Sequence, residues 1–486
     1  MLQTLLVIPA VTALACFLLR SPRKVEWAST AGASILAVYS GFLAWMVFER
    51  GSLYSEMLYL DSFGAFVLII TAIMILASSL YSIAYLRHEI NGGKVAEGRL
   101  RYYYSLLHVF IFTLILVCIS DNLGLLWIAI EATTLASAFL VGFYNTEGSL
   151  EAAWKYIMVC SVGIALALLG TILLYAASVQ RLGESTGSLN WSTIFSMADQ
   201  LDPTLVKLSF IFVLIGYGTK VGLAPMHTWL PDAYSQAPIP TAILSGALSN
   251  CALYAILRFH MVTSEVIDPS FSGSLLMIFG LLSLAVASVF IILVRDYRRL
   301  LAYSSVEHMG IIALAFGFGG TLGIMGGLLH MLNHSLIKST LFLGAGQVYL
   351  RVKTKLIEEV KGLSGLMPYT SVIWATAFLA IIGCPPFGIF ISELTILYAG
   401  FQVGEFLPIA FYLFFLAIIF AAVLHHLSGM VMGAPCDSGC KGESGRASLA
   451  LMIILLAAAL LLGTYMPSQL NDILMDIARL FPGGNV

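Results

Sequence analysis

The sequence predicts an all-α integral membrane protein with about fourteen transmembrane helices. Of its 486 residues, 59% are hydrophobic and only 10% are charged, whereas an average globular protein has about 25% charged residues. The apolar residues occur in runs of about 20, the length that crosses the hydrocarbon core of a bilayer. This composition excludes a soluble multidomain protein, a disordered protein and a nucleic-acid-binding protein with a basic face.

The spans follow the apolar runs in chain order. They are predicted at residues 2–19, 28–48, 62–86, 103–119, 122–143, 153–178, 205–224, 237–259, 272–294, 299–318, 321–348, 371–400, 407–432 and 447–466. The N-terminus lacks a basic segment and a cleavage site, so we expect a retained first span rather than a signal peptide. Residues 466–486 are too polar to span, and we expect them at the membrane interface.

Lysine and arginine are concentrated in alternate loops. The opposite loops contain little beyond Arg50 and Arg181. Cytoplasmic loops are enriched in basic residues, so an even number of spans places both termini outside. The basic residues after spans 1, 3, 9, 11 and 13 are Arg20, Arg23, Lys24, Arg87, Lys94, Arg99, Arg101, Arg295, Arg298, Arg299, Arg351, Lys353, Lys355, Lys361, Lys441 and Arg446.

Two spans are predicted to be broken helices. Span 7 contains Gly222 and Pro225 in GYGTKVGLAPMHTWLPDA, and span 12 contains Pro385 and Pro386 in IIGCPPFGIFISEL. Proline removes a backbone donor, and a membrane tolerates the freed groups only where protein or water satisfies them. Two broken helices five spans apart are typical of internal repeats around a transport site. Ordinary kinks are the alternative interpretation.

Several ionisable residues lie inside predicted spans, where each costs about 2.5–3.5 kcal/mol. Five unpaired charges would cost on the order of 15 kcal/mol, which exceeds a typical folding margin. We therefore predict that they line a common polar path. Lys155, near the start of span 6, can instead extend to the interface. The residues are Glu131, Lys220, Glu307, His308, His330, His334, Lys338 and Glu393.

The pattern in span 11 is the most informative. His330, His334 and Lys338 are spaced by four residues and share one helical stripe. Because histidine exchanges protons near neutral pH, the stripe favours a proton relay. The alternatives are a metal site, which lacks an evident third ligand, and helix-to-helix hydrogen bonding. Glu131 and Lys220 can form a switchable ion pair, or a fixed salt bridge, if spans 5 and 7 pack together.

The seven cysteines are expected to be free thiols. Most lie in apolar runs, where cysteine behaves as a small hydrophobic residue. Cys436 and Cys440 form a CDSGC pair, a weak indication of metal or redox chemistry because no second pair exists. The sequence has no iron–sulfur motif, no GxGxxG unit and no nucleotide loop. We expect no metal or cofactor in this chain.

Three stretches together resemble a known family. KVGLAPMHTWLPDAYSQAPIPTAILSGALSN, RDYRRLLAYSSVEHMG and HMLNHSLIKSTLFL resemble the antiporter-like membrane subunits of respiratory complex I. Their family includes Mrp-type sodium/proton antiporters and membrane-bound group 4 [NiFe] hydrogenases. The resemblance extends from about residue 60 to about residue 430. The SVEHMG and LSN variants are most similar to the F-type subunit of hydrogenase-4 and formate hydrogenlyase complexes.

The resemblance implies a domain organisation. Spans 4–8 and 9–13 would form two inverted five-helix repeats, with broken helices 7 and 12. The chain then divides into residues 1–100 (spans 1–3), 101–260 (the first repeat), 270–432 (the second repeat) and 433–486 (a cytoplasmic loop, span 14 and the interfacial tail). The implied location is the prokaryotic cytoplasmic membrane.

The resemblance also implies roles for individual residues. Glu131 corresponds to an essential span 5 glutamate and Lys220 to its span 7 partner. Glu393 corresponds to the distal position in the second broken helix. His330, His334 and Lys338 correspond to a central relay. Further candidates for relay are Lys155, His227, Glu307, His308 and Asn250, the last of which stands where many relatives have a lysine.

The expected function is proton translocation within a redox-driven complex, a membrane-bound hydrogenase or formate hydrogenlyase. A complex I subunit, an Mrp-type sodium/proton antiporter subunit and a structural subunit that no longer pumps are the alternatives. The implied partners are other membrane subunits and a peripheral redox arm, which would hold iron–sulfur clusters and [NiFe] or flavin. Protons would enter near the span 7 break, pass Lys220 and the span 11 stripe, and leave past Glu393.

Overall fold

The computed structural model is almost entirely helical and describes residues 1–183, 187–433, 442–443 and 445–482. A short hairpin, β1 (Leu53–Ser55) and β2 (Leu58–Leu60), follows the second helix. The α-helices are α1 (Leu2–Leu18), α2 (Pro22–Arg50), α3 (Ser62–Asn91), α4 (Leu100–Ile119), α5 (Leu123–Val141), α6 (Glu147–Leu182), α7 (Trp191–Ser196), α8 (Pro203–Val221), α9 (Leu230–Gln236), α10 (Ile239–Val266), α11 (Pro269–Leu293), α12 (Tyr297–Phe318), α13 (Gly320–Val352), α14 (Leu363–Leu366), α15 (Pro368–Ile381), α16 (Gly388–Val403), α17 (Phe406–Met432), α18 (Arg446–Thr464) and α19 (Ser468–Ala478).

Every predicted span has a helical counterpart. Within the described residues, eleven helical segments are long and apolar enough to cross a membrane, and α1, α15 and α16 are shorter apolar helices. Helix α13 is in neither group, because polar side chains such as His330, His334 and Lys338 interrupt its apolar sequence. The all-α membrane fold is thus confirmed, while the count of fourteen spans and the two inverted repeats stay predictions.

The basic loops meet at one end of the helix bundle, which we call the basic end. Arg87 pairs with Glu26, which joins the end of α3 to the start of α2. Lys94 Nζ donates to Tyr349 Oη at 2.8 Å, and Lys353 Nζ lies 3.0 Å from a ring nitrogen of His88. The loops that the sequence assigns to one side of the membrane therefore lie together.

The hairpin and the remaining loops meet at the opposite end. Leu58 pairs with Ser120, and Asn122 pairs with Asn190, as isolated β-bridges. The indole of Trp191 donates to the Arg258 carbonyl at 2.9 Å. Successive helices thus alternate in direction, as membrane-spanning helices joined by short loops must.

The first helix break lies between α8 and α9. Helix α8 ends at Gly222, whose φ of +88° favours glycine. The indole of Trp229 donates to the Thr219 carbonyl at 2.8 Å, and Ser283 Oγ accepts from the Ala224 amide at 2.9 Å. Protein side chains therefore satisfy backbone groups that the break frees, as a membrane interior requires.

The second break separates α15 from α16 at Pro385 and Pro386. Gly383 has a φ of +75°, and a Cβ there would overlap the Glu393 carboxylate. A Cβ on Gly388 would overlap the side-chain amide of Asn333 on α13. Glycine thus allows the interrupted backbone to approach the polar side chains of α13 and α16 closely.

The C-terminal tail packs onto the bundle. Helix α19 contacts α13 and α3 through buried residues that include Leu474 and Ile477. The Phe481 ring lies 5.6 Å from the ring of Phe63, between ring centroids. The tail therefore covers the opposite end of the bundle with its apolar face, in addition to the interfacial position that its sequence predicts.

The described cysteines are free thiols, and most are buried: Cys16, Cys118, Cys160, Cys251 and Cys384. Cys118 and Cys251 lie with their sulfurs 3.8 Å apart. Cys436 and Cys440 lie outside the described residues, so the weak metal or redox hypothesis for that pair stays a hypothesis.

Candidate functional site

Three buried histidines form the centre of the site. His308 on α12 and His330 on α13 are joined by a hydrogen bond of 2.9 Å between Nδ1 and Nε2. The ring of His334 lies 4.9 Å from the ring of His308, between centroids. His334 follows His330 by one helical turn, so α13 presents both rings to α12. This histidine cluster, His308, His330 and His334, joins residues that the sequence predicts in two different spans.

The cluster extends to the second helix break. Nδ1 of His330 lies 2.9 Å from the Ser392 hydroxyl on α16. The next residue, Glu393, has a buried carboxylate oxygen that makes no hydrogen bond within the described structure. A polar connection therefore runs from α12 through α13 to the interrupted helix.

Lys338 lies one turn beyond His334 on the same helix. Its side chain is buried, and Nζ donates to the Leu301 carbonyl at 2.9 Å. Glu307, also buried, is close enough to interact with it electrostatically. The stripe of His330, His334 and Lys338 is thus enclosed in the protein interior, where a fixed positive charge is costly.

Asn250 connects the two halves of the chain. Its Nδ2 on α10 donates to the Ser335 hydroxyl on α13 at 2.8 Å, while Oδ1 has no partner within the described structure. A buried acceptor of this kind usually binds an ordered water. The neutral amide is therefore placed to hold water beside Lys338's helix.

Lys220 occupies a second buried position, just before the first break. Its Nζ donates to the hydroxyl of Tyr156 on α6 at 3.1 Å. That hydroxyl lies 2.8 Å from the Ser137 hydroxyl on α5. The indole of Trp229 packs against the Tyr156 ring, with centroids 4.6 Å apart. Trp229, in the first helix break, thus holds the Tyr156 side chain next to Lys220.

Glu131 and Lys220 form no ion pair within the described structure. Glu131 is half-buried and accepts a hydrogen bond of 3.0 Å from Thr134, one turn along α5. Helix α6 packs against both α5 and α8, and Tyr156 on α6 contacts the lysine. In place of the expected pairing of the two charges, the described structure has Tyr156 on α6 next to the lysine.

Two weaker candidates lie outside this path. Lys155 is at the basic end, where it pairs with Glu151 at 2.6 Å and with Asp232 at 3.2 Å. Its side chain is half exposed, so Lys155 lies at the surface of the chain rather than among the buried groups. His227 lies in the turn of the first break, against the rings of Phe290 and Tyr303.

The described residues contain no group of three or more His, Cys, Asp or Glu side chains arranged to hold a metal ion. The 2.9 Å hydrogen bond between His308 and His330 means that one ring nitrogen donates to the other. This pairing engages His308 Nδ1 and His330 Nε2 in a hydrogen bond whose proton can be exchanged between them.

Sequence reasoning missed three parts of this arrangement. Tyr156 and Ser392 are ordinary polar residues beside predicted candidates, and no pattern distinguishes them. Arg258, in contrast, is a single charge within the apolar sequence of span 8, and that charge is a signal by which it could have been found. Its guanidinium is buried and pairs with Asp61 at 2.5 Å.

Comparison with known proteins identifies relatives over most of the chain. Residues 120–422 match the family described as NADH:quinone oxidoreductase/Mrp antiporter, transmembrane. The chain is 42% identical over 384 residues to a hydrogenase-4 component F homolog of Methylacidiphilum infernorum (isolate V4), which covers 78% of this chain and 79% of that protein. It is 29% identical over 446 residues to hydrogenase-4 component B of Escherichia coli (strain K12). That match covers 87% of this chain and 64% of that protein.

The fold also matches a solved structure. A chain of the membrane-bound sulfane sulfur reductase, an archaeal respiratory membrane complex, superimposes with a TM-score of 0.87 at 23% identity. The match covers 99% of this chain and 97% of that one. The resemblance inferred from the sequence is thus confirmed, including its similarity to component F of hydrogenase-4.

Proposed function

We propose, from the premise that this chain belongs to the NADH:quinone oxidoreductase/Mrp antiporter family of membrane proteins, that it relays protons across the membrane within a redox-driven complex. The observation that carries the proposal is the buried hydrogen-bonded chain from His308 through His330 to Ser392, beside Glu393. Imidazoles joined in this way can pass protons by exchanging donor and acceptor roles. The complex is a membrane-bound hydrogenase or formate hydrogenlyase.

The second half of the chain supplies the central relay. Lys338 holds or releases a proton at one end of the stripe, and Glu393 does so at the other. Within the described residues, His334 has no hydrogen-bond partner on either ring nitrogen, so transfer from Lys338 to the histidine cluster uses a water molecule or a ring rotation. The break beside Glu393 then gives the proton a way to the opposite side.

The first half supplies the coupling. Lys220 receives its proton near the first break, and Tyr156 holds the ammonium group in place. Glu131 acts on Lys220 through space, and a change in the carboxylate's position alters how strongly the lysine retains its proton. Asn250 and Ser335 link this half to the relay through water.

The redox chemistry belongs to partner subunits. We place iron–sulfur clusters and [NiFe] or flavin in a peripheral arm, other membrane subunits beside this chain, and both termini outside the prokaryotic cytoplasmic membrane. Protons are preferred over sodium because Lys220 and Lys338 would repel a bound cation. Purification of the complex separates the alternatives: redox subunits support this proposal, and exclusively small membrane partners support an Mrp-type antiporter.

Lys338→Ala tests the relay directly. We expect proton uptake by inverted membrane vesicles, driven by the complex's own redox reaction, to fall at least about 100-fold, since a positioned proton-transfer group contributes about that much. Lys207→Ala, at an exposed lysine of α8, is the matched control. Immunoblotting of the purified complex confirms assembly. Normal uptake by an assembled Lys338→Ala complex contradicts the proposal.

A further inference from the structure

Two adjoining clefts open at the basic end, close to the first helix break. One has a volume of about 630 Å³ and lies between the ends of α11 and α12 and the loop after α13. The other, of about 320 Å³, reaches toward α3 and the end of α13. Gln236 and Lys355 line both. We call the two together the basic cleft.

The basic cleft carries an excess of positive charge. Its lining includes five cationic side chains but only two carboxylates, Asp296 and Glu89. Asp296 already caps α12 by accepting from the Arg298 and Arg299 amides. The cations are Lys94, Arg295, Arg298, Arg299 and Lys355.

Arg298 provides the second, independent observation. It is 1% exposed, yet its Nε and Nη2 have no hydrogen-bond partner within the described structure. Its Nη1 donates to the Ser235 carbonyl at 3.3 Å, and the guanidinium packs over the Tyr349 ring at 4.2 Å. A buried guanidinium with free donors needs an anion or ordered water to satisfy it.

Contacts with α9, the second part of the first broken helix, account for only some of the cations in the basic cleft. Lys355 Nζ donates to the Ser235 carbonyl at 2.6 Å, near the carboxyl end of α9, where a cation is favourable. Arg299 pairs with Asp232 at 2.5 Å. Arg295, in contrast, makes no ion pair within the described residues and is exposed. Arg295 and the free edge of Arg298 therefore remain available to a ligand.

The wall beside these cations is apolar and faces outward. Phe290, Leu293 and Leu356 line the larger cleft, and Leu293 is 68% exposed. Leu293 ends α11, a helix apolar enough to cross the membrane. A ligand in the cleft thus meets guanidinium groups at the membrane surface and hydrocarbon directly below them. A soluble anion would not need the hydrocarbon.

We propose that the basic cleft binds the phosphate headgroup of an anionic phospholipid, with Arg295, Arg298 and Lys355 as the headgroup ligands. The acyl chain lies along the exposed apolar end of α11. Arginine suits this role because its fork of donors matches phosphate oxygens, and basic pockets between helices at the cytoplasmic surface are typical of anionic lipid sites. The lipid would brace the carboxyl end of α9, through Ser235 and Gln236.

Native mass spectrometry of the full chain in detergent, titrated with phosphatidylglycerol and separately with phosphatidylcholine, tests the proposal. We expect phosphatidylglycerol to bind more tightly, and Arg295→Gln and Lys355→Gln each to weaken it about tenfold, the value of one charge-assisted hydrogen bond. Phosphatidylcholine binding should not change. Lys24→Gln, at an exposed lysine near the basic end, is the matched control.

Further measurements decide between lipid and free phosphate. Leu293→Gln should weaken phosphatidylglycerol binding without changing the binding of inorganic phosphate. If millimolar phosphate displaces the lipid completely and Leu293→Gln has no effect, the site is for a soluble anion and the lipid proposal fails. Equal phosphatidylglycerol affinity in wild type, Arg295→Gln and Lys355→Gln also overturns it. Arg295 is exposed and forms no ion pair in the part of the chain that the structure describes, so its variant is expected to fold.

Discussion

The chain buries charge in two different ways at two places. At the opposite end of the bundle, the Arg258 guanidinium donates to both carboxylate oxygens of Asp61, at 2.7 and 2.5 Å, and to the Tyr254 hydroxyl at 2.8 Å. In the central relay, Lys338 donates to a single backbone carbonyl, and Glu393 has an oxygen without a partner within the described residues. The charges of Asp61 and Arg258 are thus fully paired, and those of Lys338 and Glu393 are not paired within the described residues.

The difference separates charges that hold the fold from charges that can change state. A paired, hydrogen-bonded ion in the interior is fixed, because removal of either partner leaves an uncompensated charge. A buried group without a partner is stable only when it is neutral or hydrated. Asp61 and Arg258 are therefore structural, and Lys338 and Glu393 fit the proposed role of sites where a proton can come and go.

Arg258→Ala should produce the largest effect on stability. Breaking a buried ion pair costs about 3–5 kcal/mol, because Asp61 is left charged and unpaired. The measurement is the free energy of unfolding of the purified chain in mixed micelles, followed by helix content. The double variant Asp61→Ala/Arg258→Ala should recover part of the loss. A change below about 1 kcal/mol for Arg258→Ala would remove the basis of the comparison.

His308→Gln should have the opposite pattern, with a large loss of proton uptake and little change in stability. The amide cannot exchange protons as an imidazole does, so we expect the vesicle proton uptake rate to fall at least about 100-fold. Stability should change little, because glutamine can keep a hydrogen bond to His330. His260→Gln is the matched control, since His260 is also buried but bonds to Ser272 at 2.9 Å, away from the relay. Equal losses in both variants would contradict a specific relay role.

The charged residues inside the spans could be predicted from the sequence, because a charge is rare in an apolar segment that crosses the bilayer. His330, His334 and Lys338 share one stripe by spacing alone, and the structure buries all three. The direct Glu131–Lys220 contact was not a safe inference, because sequence spacing says nothing about which helices are neighbours. Packing places α6 against both α5 and α8, and Tyr156 takes the position next to the lysine.

Polar partners without charge were beyond sequence reasoning. Serine and tyrosine occur throughout apolar helices, so Ser392 and Tyr156 carry no signal until helices α13, α16 and α8 are placed around them. Arg258 was overlooked although its charge was visible in span 8. Its pairing with Asp61 depends on the packing of α3 against α10, a contact between residues 197 positions apart.

Tyr156→Phe should have a smaller effect than His308→Gln. It removes the hydroxyl that accepts from Lys220 but keeps the ring that packs against Trp229. Loss of one hydrogen bond to a charged group corresponds to about tenfold in rate. The vesicle proton uptake assay measures it, and Tyr104→Phe, at a buried hydroxyl without a partner within the described structure, is the control. An unchanged rate would show that Tyr156 does not position Lys220.

The last effect, at Lys355, appears only as a change of stability with pH, and this residue lies between the two classes. It is partly buried and has backbone and amide oxygens as acceptors, but no carboxylate partner among the described residues. Burial, and after it the nearby charge of Arg298, lower its pKa to about 8. Between pH 8 and the unfolded value of about 10.5, the unfolded chain binds the extra proton. The free energy of unfolding should therefore rise with pH in that window.

Lys355→Gln should remove this rise, which we expect to be about 1–3 kcal/mol in the wild type. The measurement is the free energy of unfolding at pH 7 and pH 10 for both proteins, in lipid-free detergent. Lys24→Gln, at an exposed lysine, should keep the wild-type slope. If Lys355→Gln also keeps it, Lys355 is held charged by its oxygen acceptors in the folded state and belongs with the paired, structural class that Arg258 represents.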